Sequence, residues 1–180
     1  MPRSVASPRV VNVADLRRIA EGRLPRMAFD YIDGGADREI TLRGNCEAFN
    51  EILFRPRCAV ATPSCDLGVN ILGTKIDLPF VLAPVGSSRM FYPRGEEVAA
   101  RAAGKAGTLY TLSTLSGCRL EDVKAATSGP AWYQLYLVGG GDVARAAIAR
   151  AKAAGYKALV DTIDTPVAGQ RERDPRNGTK

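Results

Sequence analysis

Histidine does not occur anywhere in the 180 residues. That removes the side chain most often used as a general base and most often bound to a metal. Cysteine is sparse, at Cys46, Cys58, Cys65 and Cys118, and no two of these stand in C-x-x-C spacing. Buried or incidental thiols in a reducing compartment are expected rather than a disulfide framework. No apolar run approaches the roughly 20 residues needed to span a bilayer. The opening "MPRSVASPRV" is charged and has no apolar core, so it does not read as a secretory signal. A cytoplasmic location is the default expectation. Nor is there a basic stripe interleaved with aromatics. The formal charge of +6 is spread along the chain, with arginines among acids in "DREITLRGN" and "QRERDPRNG". Nucleic acid is therefore not an expected partner.

What is present is ordinary globular composition, 46% hydrophobic and 24% charged, in a length that suits one domain or part of a larger one. Residues 12 to 55 read as helical. "NVADLRRIAEG" has Asn12 as an N-cap and apolar residues at Val13, Leu16 and Ile19. "PRMAFDYIDGG" starts at Pro25 and stops at Gly34 and Gly35, and "DREITLRGNCEAFNEILF" reads as a third helix. Residues 56–79 read as short extended pieces. From residue 80 the pattern alternates. Strands are expected at 80–84, 109–114, 131–138 and 157–163, with helices at 95–107, 119–127 and 141–155. Successive strand–helix units imply parallel strands. The expected division is a helical extension over 1–79 and the first four strands of an α/β fold over 80–180. Half of a β/α barrel and an open doubly wound sheet both satisfy this pattern, and both put chemistry at the carboxyl ends of the strands.

The strand ends carry unusual residues. Pro84, Val85 and Gly86 make a turn in which glycine lets a ligand approach the backbone, although an ordinary loop would read the same way. Thr111, Ser113 and Thr114 end the second strand with hydroxyls suited to a polar ring edge or to a helix cap. In "WYQLYL" the period of two puts Gln134 and Tyr136 on one face, and an amide inside a strand needs a partner. The last strand places Thr162 and Asp164 together, with Asp161 and Ile163 opposite. Arg171 and Arg173 follow. Their guanidinium forks suit a carboxylate or phosphate, or else a salt bridge to Glu172 or Asp174. "GGGDVA", Gly139 to Ala144, fits a dinucleotide fingerprint in outline, but Asp142 would set a negative charge where a pyrophosphate should lie.

Taken in order, "FDYIDGGADREITLRGN", "ILFRPR", "LPFVLAPVG", "TLSTLS", "WYQLYL" and "TIDTPVAGQRERDPRNG" resemble the amino-terminal half of the FMN-dependent α-hydroxy-acid oxidase and dehydrogenase family. That family includes glycolate oxidase, L-lactate dehydrogenase and mandelate dehydrogenase. The resemblance implies the amino-terminal half of a TIM (β/α)8 barrel, preceded by a helical extension, and oxidation of a small 2-hydroxy acid to a 2-oxo acid. It implies that Tyr31, Tyr136 and Arg171 contact substrate. Pro84, Val85 and Gly86 would lie against FMN, and Ser113, Gln134 and Thr162 would bond the polar edge of its ring. Asp164 would orient a catalytic histidine, with Tyr136 close to the substrate hydroxyl.

The same resemblance places that histidine, a lysine, a second arginine and the phosphate-binding loops in a carboxyl half. The expectation is thus a truncated family member, inactive alone. A half-barrel scaffold and, more weakly, a dinucleotide-binding domain are the alternatives. For the complete enzymes the resemblance implies a homo-oligomer and, in some relatives, peripheral membrane association. Two departures stand out: Asp161 sits where the family usually has an apolar residue, and Gly141 replaces what is often a larger polar one.

Overall fold

The computed structural model describes residues 9–164 and 167–178. The first eight residues, the Thr165–Pro166 pair, Thr179 and Lys180 lie outside the described residues. By internal contacts the chain forms two compact units, residues 1–55 with 168–180, and residues 56–167. This grouping cuts the chain differently from a division at residue 79: the extended pieces of 56–79 go with the strands, and 168–178 go with the amino-terminal helices.

In the first unit, α1 (Val13–Arg23) is opened by a reciprocal capping box. Asn12 Oδ1 accepts from the Asp15 N–H at 3.0 Å, and Asp15 Oδ2 accepts from the Asn12 N–H at 3.1 Å. The second helix, α2 (Arg26–Asp33), follows Pro25, whose fixed φ suits a helix start. It buries Phe29 and ends at Gly34. The single long third helix expected from the sequence is shorter. It comprises α3 (Ile40–Glu47) and then one 3-10 turn, Ala48–Glu51. The unit's later segment carries the single turn α7 (Arg173–Arg176).

The second unit opens with an antiparallel hairpin, β1 (Val69–Ile71) and β2 (Thr74–Ile76). Its two-residue turn is left-handed at both positions, Leu72 at φ +48° and Gly73 at φ +74°, the second of which a glycine adopts without strain. The main sheet has β3 (Val81–Leu82), β4 (Leu109–Leu112), β5 (Ala131–Leu135) and β6 (Leu159–Asp161). All three pairings are parallel, and the order in space is the order in sequence, β3-β4-β5-β6. A doubly wound sheet reverses its strand order at a switch point, whereas a barrel segment does not. The sequential order favours the barrel.

Between the strands run α4 (Gly95–Lys105), α5 (Leu120–Ala125) and α6 (Gly141–Ala154). Their inward residues, Ala100, Ala103, Val123, Ala144 and Ala151, pack on Tyr110, Leu112, Tyr133 and Leu135 of the sheet. Small helix residues let the helices lie close over the aromatic rows. Tyr133 and Tyr156 meet edge to face with centroids 6.0 Å apart, and the Tyr156 hydroxyl donates to the Leu120 carbonyl at 2.8 Å. Helix α4 carries Glu96 and Glu97 in its first turn, where the helix dipole favours carboxylates. Glu96 is fully buried, and its Oε1 accepts from the Gly117 N–H at 2.9 Å. Burial pushes the Glu96 carboxyl up, but the N–H groups of Gly117, Glu96 and Arg89 and the Cys118 thiol outweigh it, so the carboxyl lies below its usual range.

The strands are all shorter than their apolar runs. β5 stops at Leu135, so Tyr136 lies past its end, and β6 stops at Asp161, so Thr162 and Asp164 follow it. Tyr133, Gln134 and Leu135 are all buried, so burial along β5 does not alternate. Both faces of this strand are covered, as parallel sheets require. Asp161 stands in register with Leu135 on the edge strand and is exposed, so its charge incurs no burial penalty there.

Candidate active site

The carboxyl ends of β4, β5 and β6 are joined by side chains. Gln134, at the end of β5 and only 2% exposed, sits at the centre. Its Oε1 accepts from the Thr114 N–H at 3.0 Å and from the Ser113 hydroxyl at 3.2 Å. Its Nε2 donates to the Thr162 hydroxyl at 2.8 Å. The result is a hydroxyl–amide–hydroxyl row, Ser113–Gln134–Thr162, across three adjacent strand ends. Sequence reasoning named these residues separately, and the fold brings them together.

The bonding also fixes what the row can offer. A hydroxyl either donates or accepts, but the Thr114 N–H can only donate, so Oε1 must face it. Ser113 is further engaged as acceptor from the Leu115 N–H at 3.1 Å. Gln134 keeps one Nε2 hydrogen, and the Thr162 hydroxyl, which accepts from Nε2, keeps its own proton. Both are donors suited to a carbonyl oxygen.

Pro84, Val85 and Gly86 form the turn after β3. The Ser87 N–H donates to the Leu115 carbonyl at 2.8 Å, tying the turn to the loop after β4. The space a Cβ would take at Gly86 is bordered by Leu115 Cβ at 3.3 Å. The glycine therefore admits a close approach of Leu115, a neighbour that the motif alone did not indicate. Pro84 and Val85 are exposed. Tyr136 is half-buried, and its N–H donates to the Thr114 hydroxyl at 3.0 Å. Asp164 is exposed beyond β6.

Tyr31 and Arg171 belong to the other unit and lie against each other. The Arg171 guanidinium carbon is 4.7 Å from the centre of the Tyr31 ring. Its Nη2 donates to the carbonyls of Tyr31 and of Gly34, the latter at 2.9 Å. Of the two salt bridges the sequence allowed, that to Asp174 is present at 3.7 Å, whereas Glu172 pairs with Arg176. Arg173 is wholly committed to acids, reaching Asp30 at 3.3 Å, Asp33 at 3.0 Å and Glu39 at 2.6 Å. The sequence grouped it with Arg171 as a basic pair, but the two have different surroundings. The signal for its partners was the spacing of Asp30, Asp33 and Glu39 around a glycine pair. Gly34 makes room for it, since a Cβ there would meet Arg173 Cδ at 3.0 Å and the Asp30 carbonyl at 2.7 Å.

The glycine run before α6 carries little of a nucleotide site. Gly139 and Gly140 have φ of +82° and +87°, and Asp142 is exposed and paired with Arg145. Among the described residues no group of His, Cys, Asp or Glu is placed to hold a metal, and no helix is long and apolar enough to cross a membrane.

A profile of the family described as FMN-dependent dehydrogenase matches residues 20–180. The chain belongs to that family. Its relatives include a peroxisomal (S)-2-hydroxy-acid oxidase of Oryza sativa subsp. indica, 40% identical over 167 residues, covering 93% of this chain and 46% of that protein. A putative L-lactate dehydrogenase of Mycobacterium tuberculosis is 43% identical over 169 residues, covering 93% of this chain and 41% of its own length. Among solved structures, a soluble mutant of the membrane-associated (S)-mandelate dehydrogenase of Pseudomonas putida matches with a TM-score of 0.90 and 36% identity, over 96% of this chain and 49% of that one. The chain thus spans about half the length of the curated relatives it matches. Its fold is the first part of the family's β/α barrel with the helical extension before it. Neither a scaffold nor a dinucleotide-binding domain is favoured by these relatives.

Proposed function

We propose that this chain supplies the flavin-edge and substrate-carboxylate residues of an FMN-dependent oxidation of a small 2-hydroxy acid to a 2-oxo acid. The observation that carries this reading is the buried Ser113–Gln134–Thr162 row. Its two spare donors, the second Nε2 hydrogen of Gln134 and the Thr162 hydroxyl proton, are what the carbonyl-bearing edge of an isoalloxazine ring requires. Both ends of the Gln134 amide are held by partners within the chain, so its direction is fixed before a ring arrives. The residues present therefore fit the ring edge of FMN, with Pro84, Val85 and Gly86 as the backbone against which it lies. FMN, when bound, supplies the acceptor for the two electrons leaving the substrate carbon.

The chain's own side chains bind and orient. Arg171 and Tyr31 hold the substrate carboxylate, one by charge and the other by its hydroxyl. Tyr136 takes a place beside the substrate hydroxyl. Asp164 steadies a cationic base that this chain, having no histidine, does not itself contain. General-base catalysis is worth about 10²- to 10⁴-fold in rate, so the chain by itself is expected to bind flavin without turning over.

The test is titration of the purified 180-residue chain with FMN and with riboflavin, following flavin fluorescence. Saturable quenching by both is expected, because the proposed contacts are to the ring. Absence of quenching by either flavin from a folded chain would refute the reading.

A further inference from the structure

Thr114 makes three bonds to β5 and its continuation, and the two made by its hydroxyl have no part in the roles proposed above. Its N–H donates to Gln134 Oε1 at 3.0 Å, and its hydroxyl donates to the Gln134 carbonyl at 2.6 Å and accepts from the Tyr136 N–H at 3.0 Å. The register of β4 against β5 runs only as far as Leu112 opposite Tyr133. Two residues later the Thr114 hydroxyl does what the backbone of a longer β4 would do, accepting one N–H and donating to one carbonyl. β5 is thereby held in line past its last regular pairing.

The consequence falls on Gln134. An amide can turn over end for end, and the Ser113 and Thr162 hydroxyls can each reverse their donation to suit either orientation. The Thr114 N–H cannot reverse. It alone forces Oε1 toward β4 and Nε2 toward β6. The Thr114 hydroxyl, clamped on the backbone of Gln134 and Tyr136, holds that N–H in place. We propose that Thr114 is the positioning residue of the flavin-edge site: it sets the direction of the Gln134 amide and the point at which Tyr136 leaves the strand. This rests on the FMN reading above.

The variants are Thr114→Val, which keeps the shape and the N–H but removes the hydroxyl, and Thr114→Ser, which restores it. Each is titrated with FMN, and amide hydrogen exchange at Tyr136 is measured in each. Removing the hydroxyl leaves two backbone groups unpaired. Thr114→Val is therefore expected to bind FMN about tenfold more weakly and to exchange the Tyr136 amide about tenfold faster. The visible absorption band of its bound flavin is expected to shift. Thr114→Ser is expected to return all three readouts to within about twofold of the wild type.

A folded Thr114→Val chain with wild-type FMN affinity overturns the proposal, as does a Thr114→Ser chain no better than the valine variant. If Thr114→Val does not fold, the serine variant and the wild-type exchange rate decide. A wild-type Tyr136 amide exchanging as fast as an exposed one overturns it. A wild-type chain that binds no flavin refutes the FMN reading itself, a result distinct from equal binding by wild type and variant.

Discussion

Arg171 lies over the ring of Tyr31 and donates to the Tyr31 carbonyl, so two residues 140 positions apart in sequence form one unit. A planar guanidinium can stack and donate at once, whereas an ammonium has neither the plane nor the fork. Arg171→Lys is therefore expected to loosen residues 168–178 despite keeping the charge. Limited proteolysis in that segment should be several-fold faster in the variant. Unchanged cleavage would show that charge alone holds it.

The acids around Arg173 give the same unit a pH dependence. Asp30 is held below the usual carboxylate range first by its bond from Asn177, Asp33 by Arg17, and Glu39 by Arg173. Groups whose pKa is lower folded than unfolded stabilise fully above the unfolded value, and that stabilisation is lost as pH falls through the folded one. The unit's stability is expected to be level from neutral pH down to about 5 and to decline below about 4. Arg173→Met should remove chiefly the share of that decline that comes from Glu39, leave a smaller decline from Asp30 and Asp33 on Asn177 and Arg17, and lower the melting midpoint at neutral pH by about 5 °C. A denaturation series across pH checks both.

Gly104 and Gly129 pack backbone to backbone. A Cβ on Gly129 would stand 2.7 Å from Gly104 Cα, a contact no side-chain rotation can relieve. Gly129→Ala is expected to cost about 1–3 kcal/mol by overpacking, read as a shift in the denaturant midpoint. Gly140→Ala, with nothing within 4 Å of its Cβ, tests strain alone, since φ there is +87°.

Thiol reactivity should divide the cysteines. Cys46, Cys58 and Cys65 are exposed. Burial, and then Glu96 beside it, push the Cys118 thiol up to about 11. The reactive species is the thiolate. Iodoacetamide at pH 8 is expected to modify three thiols promptly and Cys118 only on unfolding. Prompt modification of all four would contradict the raised thiol of the partly buried Cys118 beside Glu96.

The fold was legible where periodicity is strong. The Asn12 cap, the Gly34 stop, and the positions of α4, α6 and the four sheet strands all follow from patterns in "NVADLRRIAEG", "GEEVAARAAGKAG" and the apolar runs. Strand ends were not. "WYQLYL" and "KALVDTI" stay apolar past Leu135 and Asp161, and hydropathy does not register that the pairing stops there. The third helix was overextended because "AFNE" continues a helical pattern but adopts a tighter 3-10 turn. Of the site, Gln134 was legible because an amide in a strand demands partners. The part played by Thr114 was not, because a threonine after a strand looks like any loop residue until its partners 20 and 22 residues on are placed. Arg171 and Arg173 were indistinguishable by sequence, since only the fold reveals that one is stacked on a ring and the other shared among three acids.

The most direct test compares the wild-type chain with Gln134→Leu in a flavin titration, with melting curves of both. Leucine keeps the bulk at a buried position and removes the amide at the centre of the row. The expected result is saturable quenching by the wild type and at least about tenfold weaker binding by the variant, with both chains folded. Equal binding by the two would mean that the Ser113–Gln134–Thr162 row is core packing and not the edge of a flavin site.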